Sequence, residues 1–98
     1  MNIYNRFDPD EIVLVFPGES LVGADLRGAN LEEADLTQKD LRGANLAIAN
    51  LKEADLSGSD LKGAVLKKAM LSETQLLGAC LDDAILIGVS APLTNFGR

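Results

Sequence analysis

The chain has 98 residues, with 15 acidic and 9 basic side chains and a formal net charge of -6 at pH 7. A chain this short builds one small domain, and its negative excess argues against direct binding to nucleic acid or to anionic lipid. It holds no histidine and a single cysteine, which excludes an intrachain disulfide framework, a Cys/His zinc site and any mechanism with a histidine base.

Residues 1–15 read as an N-terminal cap. The charged stretch Arg6-Phe7-Asp8-Pro9-Asp10-Glu11 leads into the longest apolar run, Ile12-Val13-Leu14-Val15-Phe16. That run is far too short to span a bilayer, and no basic leader precedes it. Neither a membrane segment nor a signal peptide is expected, and the expected location is cytoplasmic. Pro9 and Pro17 suit the edge of a cap.

From Phe16 onward the chain is periodic. Leucine stands at every fifth position from Leu21 to Leu86, fourteen times without exception, and Ala91 and Phe96 follow in phase. With the leucine as position i, i-2 is mostly Ala. Position i-1 is Asp or Asn from Asp25 to Asp60, and i+2 is Gly at seven units. A step of five turns an α-helix by roughly 140°, so the leucines would spiral around it and leave no apolar stripe. In a straight strand an odd step sends alternate leucines to opposite faces. A short extended segment with a corner every fifth residue resolves both problems. Positions i-2 and i share the inner face, and i+1 and i+2 turn the corner. Glycine at i+2 supplies the positive φ of a type II turn. Where Glu33, Gln38, Ile48, Glu53, Lys68, Glu73 or Asp83 stands there, another turn type is expected.

The unbroken A-D/N-L-x-x tandem resembles the pentapeptide repeat family from Phe16 to Phe96. The resemblance implies an all-β fold over 16–98: a right-handed, four-sided parallel β-helix (solenoid) of about four coils, 20 residues each. The residues carry one sign of such a coil. The exceptions to interior alanine, Glu19, Lys39 and Ser59, are spaced by 20, and so are Glu33, Glu53 and Glu73. A buried unpaired ammonium is very costly. Lys39 is therefore expected to pair with Glu19 or to bend outward along its stem.

A tube filled by its own side chains leaves no concave pocket, so no enzyme, cofactor or metal site is expected. The Asp/Asn series at i-1 reads as corner residues that bond neighbouring backbone, not as a carboxylate array. Cys80 takes an outward slot, and its thiol fits a reducing compartment. Two surfaces remain for partners. Stacking every fourth unit gathers Ile48, Val65, Lys67, Lys68, Ile85 and Ile87 on one net-positive side as a candidate interaction surface. At the other candidate, Thr94-Asn95-Phe96-Gly97-Arg98 reads as one more repeat unit. The edges of Leu81, Leu86 and Phe96 would then dock a second copy or another repeat-containing chain, unless Pro92 and Phe96 fold over the tube. The expectation is a non-catalytic interaction or structural protein. The resemblance supplies an alternative, because some members of that family mimic duplex DNA and inhibit DNA gyrase. This chain departs from them in its shortness, in negative charge spread over three sides and in its one positive side.

Overall fold

The five-residue period closes on itself every 20 residues. In a computed structural model that describes residues 1–96, parallel β-bridges join Asp25 to Asn45, Asn45 to Val65 and Val65 to Ile85. Three more columns rise from Asn30, Asp35 and Asp40 with the same spacing. The last two residues of the repeat unit expected over 16–98, Gly97 and Arg98, lie outside the described residues. In every column the leucine N–H donates to the coil above, as Leu46 to the Val65 carbonyl (2.6 Å). The residue before the leucine donates to the coil below, as Val65 to the Ala44 carbonyl (2.9 Å). Each side is extended over only three residues before the next corner, so these contacts remain single bridges and the repeats form no continuous strand.

The interior is the Leu/Ala ladder. Leu31, Leu36, Leu41, Leu46, Leu51, Leu56 and Leu61 are fully enclosed, as are Ala34, Ala44, Ala49, Ala54, Ala64 and Ala69. Each enclosed leucine contributes about 1.5–3 kcal/mol of hydrophobic stabilisation. Two hydroxyl residues replace interior alanine without leaving a polar group unsatisfied. Ser59 Oγ donates to the Leu56 carbonyl (2.7 Å), and Thr74 Oγ1 to the Leu51 carbonyl (2.7 Å). Thr94 repeats the arrangement one coil higher, with its hydroxyl on the Leu71 carbonyl.

The expectation for Lys39 is corrected in part. Lys39 is half-buried and Glu19 is exposed. The ion pairs among the described residues are Arg27–Asp25, Arg42–Asp40 and Arg42–Asp60, and a Glu19–Lys39 pair is not one of them. Lys39 instead acts on Asp35, whose carboxyl its charge helps to hold low, after the larger effect of a hydrogen bond from Thr37. An ammonium that keeps part of its surface in water needs no buried carboxylate.

The corners differ from the expectation as well. Every unit from Leu21 to Ala91 places its i+2 residue in the left-handed region, glycine or not: Glu33, Gln38, Ile48, Glu53, Lys68, Glu73, Asp83 and Leu93 have φ of 54–60°. The positive φ falls at i+2 at glycine and non-glycine corners alike, as in a type II turn. The reason is the ladder. The i+2 N–H must point along the tube to reach the next coil, as Ile48 does to Lys67 O (2.8 Å) and Glu53 to Ser72 O (2.9 Å). Coil-to-coil bonding therefore overrides the residue's own preference, at a cost of about 1–2 kcal/mol per non-glycine corner. Pro92 at i+1 before Leu93 suits the same turn.

Residues 2–15 form an antiparallel hairpin that begins the molecule. Strand β1 (Asn2–Tyr4) pairs with β2 (Ile12–Val15), Asn2 opposite Val15 and Ile3 opposite Leu14. Ile3, 1% exposed, belongs to the leucine core. The hairpin then stands in for a missing coil beneath one side: Asp35 N–H donates to Tyr4 O (2.8 Å) and Arg6 N–H to Glu33 O (2.7 Å). Asn5 organises the connecting loop. Its Oδ1 accepts the N–H groups of Phe7 (2.7 Å) and Asp8 (3.2 Å), and its Nδ2 donates to Glu33 Oε1 (3.1 Å).

Two corner glycines separate backbone strain from crowding. A Cβ on Gly63 (φ +69°) would meet nothing within 4 Å, whereas on Gly58 (φ +70°) it would lie 2.6 Å from Gln38 Nε2. Gly63→Ala should lose about 1 kcal/mol, the conformational cost alone. Gly58→Ala should lose more, because Gln38 must also move. Urea unfolding of the two variants against the parent measures both, and equal losses would show that the Gln38 contact carries no energy.

Candidate functional site

With the interior filled, the outward residues make up the candidate surfaces. The lower coils are stapled by Asx corners. At all eight Asp/Asn positions from Asp25 to Asp60, side-chain Oδ1 accepts the N–H two residues on, for example Thr37 N–H to Asp35 (3.0 Å) and Ser57 N–H to Asp55 (2.9 Å). These carboxylates are engaged in building corners, as expected from the sequence. Arg27 adds a bidentate contact to Asp25 and holds its pKa down to about 2, mainly through the side-chain hydrogen bond. Arg42 holds Asp40 low in the same way.

On the side that carries the 25, 45, 65 and 85 column, the six residues singled out in the sequence fall together. The Val65 bridge to Ile85 and the backbone bonds Ile48 to Lys67 and Lys68 to Ile87 make them neighbours across adjacent coils. Ile48 is 58% exposed, Ile87 68% and Ile85 43%, while Val65 is half-buried. Ile48 leans down over Gly28, with its Cδ1 3.9 Å from where a Cβ would stand. The Lys68 stem lies beside Gly88 in the coil above, its Cγ 3.2 Å from the equivalent point. Asp25 and Arg27 neutralise one another at the base of this side, so Lys67 and Lys68 give it its positive character.

The neighbouring corner carries the acidic file Glu33, Glu53 and Glu73. Arg6 reaches it from the hairpin, and its Nη1 donates to the Glu53 carbonyl oxygen (2.9 Å) while its guanidinium sits 4.6 Å from the Phe7 ring centre. Arg6, Phe7, Glu53, Glu73, Gln75 and Leu93 line a groove of about 410 Å³. This groove corrects the expectation of no concave pocket, because Arg6 and Phe7, which belong to the hairpin and not to the filled tube, form part of its wall. Desolvation, with the charges of Glu73, Glu33 and Glu32, pushes the Glu53 carboxyl above its ordinary range. Arg6 engages Glu53 through the backbone oxygen, so the like charges remain close.

The uppermost described coil is less enclosed than those below it. Leu81 and Leu86 are half-buried, Phe96 is 49% exposed and Leu93 80%. The N–H groups of Leu81, Asp83, Leu86, Gly88, Ala91 and Leu93 have no acceptor among the described residues, although the equivalent groups one coil below all donate upward. Cys80 is half-buried on its bridge with Asp60, with a free thiol. No helix among the described residues is long and apolar enough to cross a membrane.

A family model described as Pentapeptide repeats matches residues 20–47 and 49–87, in 8 copies. Among curated proteins none matches. Among solved structures, a pentapeptide repeat protein (Rfr23) of the cyanobacterium Cyanothece 51142 is similar, at 34% identity and a TM-score of 0.62 over 74% of this chain and 54% of that one. HetL, a pentapeptide repeat protein involved in heterocyst differentiation regulation in Nostoc, is 34% identical, with a TM-score of 0.40 over 72% of this chain and 38% of its own. A pentapeptide repeat protein of the Arabidopsis thaliana thylakoid lumen is 29% identical, with a TM-score of 0.42 over 71% and 59%. The chain thus spans about half the length of the first of these proteins and less of the second.

The acidic file makes a prediction with a definite sign. A carboxyl whose folded-state pKa is raised is least favourable to the fold when ionised, so its penalty is present at neutral pH and fades as pH falls through the folded pKa. Glu53→Gln should raise the melting temperature at pH 7, with a gain that shrinks towards pH 4. Asp25 and Asp40 act in the opposite sense. They support the fold above the ordinary carboxylate range and cease to do so below it. Thermal melts of the parent and Glu53→Gln at both pH values check this, and a gain that did not depend on pH would contradict the electrostatic origin.

Proposed function

Since this chain belongs to the pentapeptide repeat family, we propose that it is a right-handed, four-sided β-helix acting as a non-catalytic protein-interaction or structural module in the cytoplasm. The observation that carries the reading is the side formed by Ile48, Val65, Ile85 and Ile87 with Lys67 and Lys68. It joins exposed β-branched residues to two lysines that make no ion pair among the described residues, on an otherwise acidic molecule. Large exposed apolar residues grouped on one flat face suit a protein partner, and the two lysines favour a partner that presents carboxylates. Four bridge columns spaced by 20 residues support the four-sided form. The single free thiol suits a reducing compartment.

The test is capture from the native host with the intact chain as bait, beside a variant carrying Ile48→Lys and Ile85→Lys. Both residues are exposed, so the variant should keep its melting temperature while losing bound protein at least tenfold. Retention of the same proteins by the variant would discard this side as the contact.

A further inference from the structure

The side that carries the Asn30, Asn50, Met70 and Ser90 column has edges of opposite character. It lies between two corner files. The backbone bonds Ile48 to Lys67 and Lys68 to Ile87 carry one file up the tube, and Glu53 to Ser72 and Glu73 to Pro92 carry the other. In the coil of residues 61–80, Lys67 and Lys68 stand at one corner and Glu73 at the other, all three exposed. In the coil above, Ile87, 68% exposed, and Leu93, 80% exposed, hold the same two corners. Met70, 37% exposed, stands midway between the files. The two files are separated by the width of the side, and no ion pair joins either lysine to Glu73 among the described residues.

A side with such edges is complementary to itself. A half-turn about an axis parallel to the tube, passing in front of Met70, lays two copies flank to flank and pointing the same way. Each file then faces the other kind of file, coil by coil. Lys67 and Lys68 meet Glu73, Ile87 meets Pro92 and Leu93, and Arg27, which Asp25 already holds, meets Glu32. Met70 meets its own copy on the axis. No coil sets like charges against each other. A half-turn about an axis across the tube at Met70 would instead bring Lys68 to Lys68 and Glu73 to Glu73, so charge selects the parallel arrangement. The lysines also answer a local need, because desolvation and the like charges of Glu73 and Glu33 push the Glu53 carboxyl up. The hairpin leaves this side clear. It lies round the acidic corner, where Asn5 bridges Ala34 and Phe7 lines the groove with Gln75. The contact uses the flank of the tube and no coil end. Four coils about 4.8 Å apart, across the molecule's narrowest extent of 22 Å, bury on the order of 400 Å² per copy, the size of a weak and reversible contact.

We propose that a second copy of this chain docks on the side of Asn30, Asn50, Met70 and Ser90, parallel to the first around a twofold axis at Met70, with Lys67 and Lys68 of each copy on Glu73 of the other. The inference shares two lysines with the partner surface described above but does not rest on it. Sedimentation equilibrium of the full 98-residue chain tests it. The mass should rise from 10.4 kDa towards twice that value as concentration approaches about 1 mM, the range a contact of this size calls for. Lys68→Glu alone and Glu73→Lys alone should each weaken the dimer at least tenfold, since each sets like charges together at both corners. An equimolar mixture of the two variants should associate to within about threefold of the parent, because each then meets its complement at both corners. Ile85→Lys, on the next side, should leave the dimer intact while it removes a protein held by that side, so the two readings fail separately. A monomer at every concentration overturns the proposal. So does a dimer that Glu73→Lys leaves intact, one that Ile85→Lys abolishes, or a mixture that stays as weak as its components. Melting temperatures of the exposed-site variants confirm that each is folded.

Discussion

The coil-to-coil hydrogen bond is the constraint on which the rest of this molecule depends. Leucine burial draws the chain inward, but a bare leucine period does not say how many residues make a turn. The N–H groups of each leucine and each corner decide that, because both must find carbonyls directly above. Once they do, the alanines fall into the interior, the Asp and Asn side chains fall at the edges of corners, and the tube is too narrow for anything except its own side chains. The same demand holds six of the eight non-glycine corner residues in the left-handed region, where their N–H groups reach carbonyls of the next coil. A local conformational cost of about 1–2 kcal/mol is accepted at each, since the alternative is the loss of a coil-to-coil hydrogen bond.

Much of this could be read before any coordinates. The inward leucines, the alanines beside them, the bonding of Asp25 to Asp60 at the corners and the stacking of Ile48 with Val65 and Ile85 all follow from a period of five and the alternation of an extended chain. The misreadings have a common origin. Glu33, Ile48 and Lys68 were judged by intrinsic preference, which forbids them a positive φ, while the ladder that overrides preference is a contact between residues far apart in sequence. Lys39 leaves a pair with Glu19 and an outward bend both open from the sequence, and it stands half-buried with no ion pair to Glu19 among the described residues. The Ile3 plug and the Asn5 loop were invisible for another reason. Three residues of alternating pattern are too few to announce a strand, and their role exists only once the hairpin folds back under Asp35.

The outward surface changes character along the tube. Acidic and amide residues line the strand positions up to Asp60, and Val65, Met70 and Ile85 take over above it. Lower coils are therefore polar and locally stapled, whereas upper coils offer β-branched and aliphatic surface. Family membership fixes the scaffold but not what it carries, and this chain spans only about half the length of the Rfr23 protein. In this chain the distinguishing chemistry is concentrated in the upper coils, where apolar residues and two lysines meet.

The end of the Asx series at Asp60 has a mechanical consequence. Corner N–H groups at Arg27, Lys52 and Lys62 rest on a side chain of their own unit, but those of Lys67, Ser72 and Leu77 have no such acceptor among the described residues. Since each coil touches only its neighbours, resistance to fraying is a local property. Tension or heat would peel the molecule from its top winding downward, one turn at a time, and would stall where the carboxylate clasps begin, much as a zip catches at its first sound tooth.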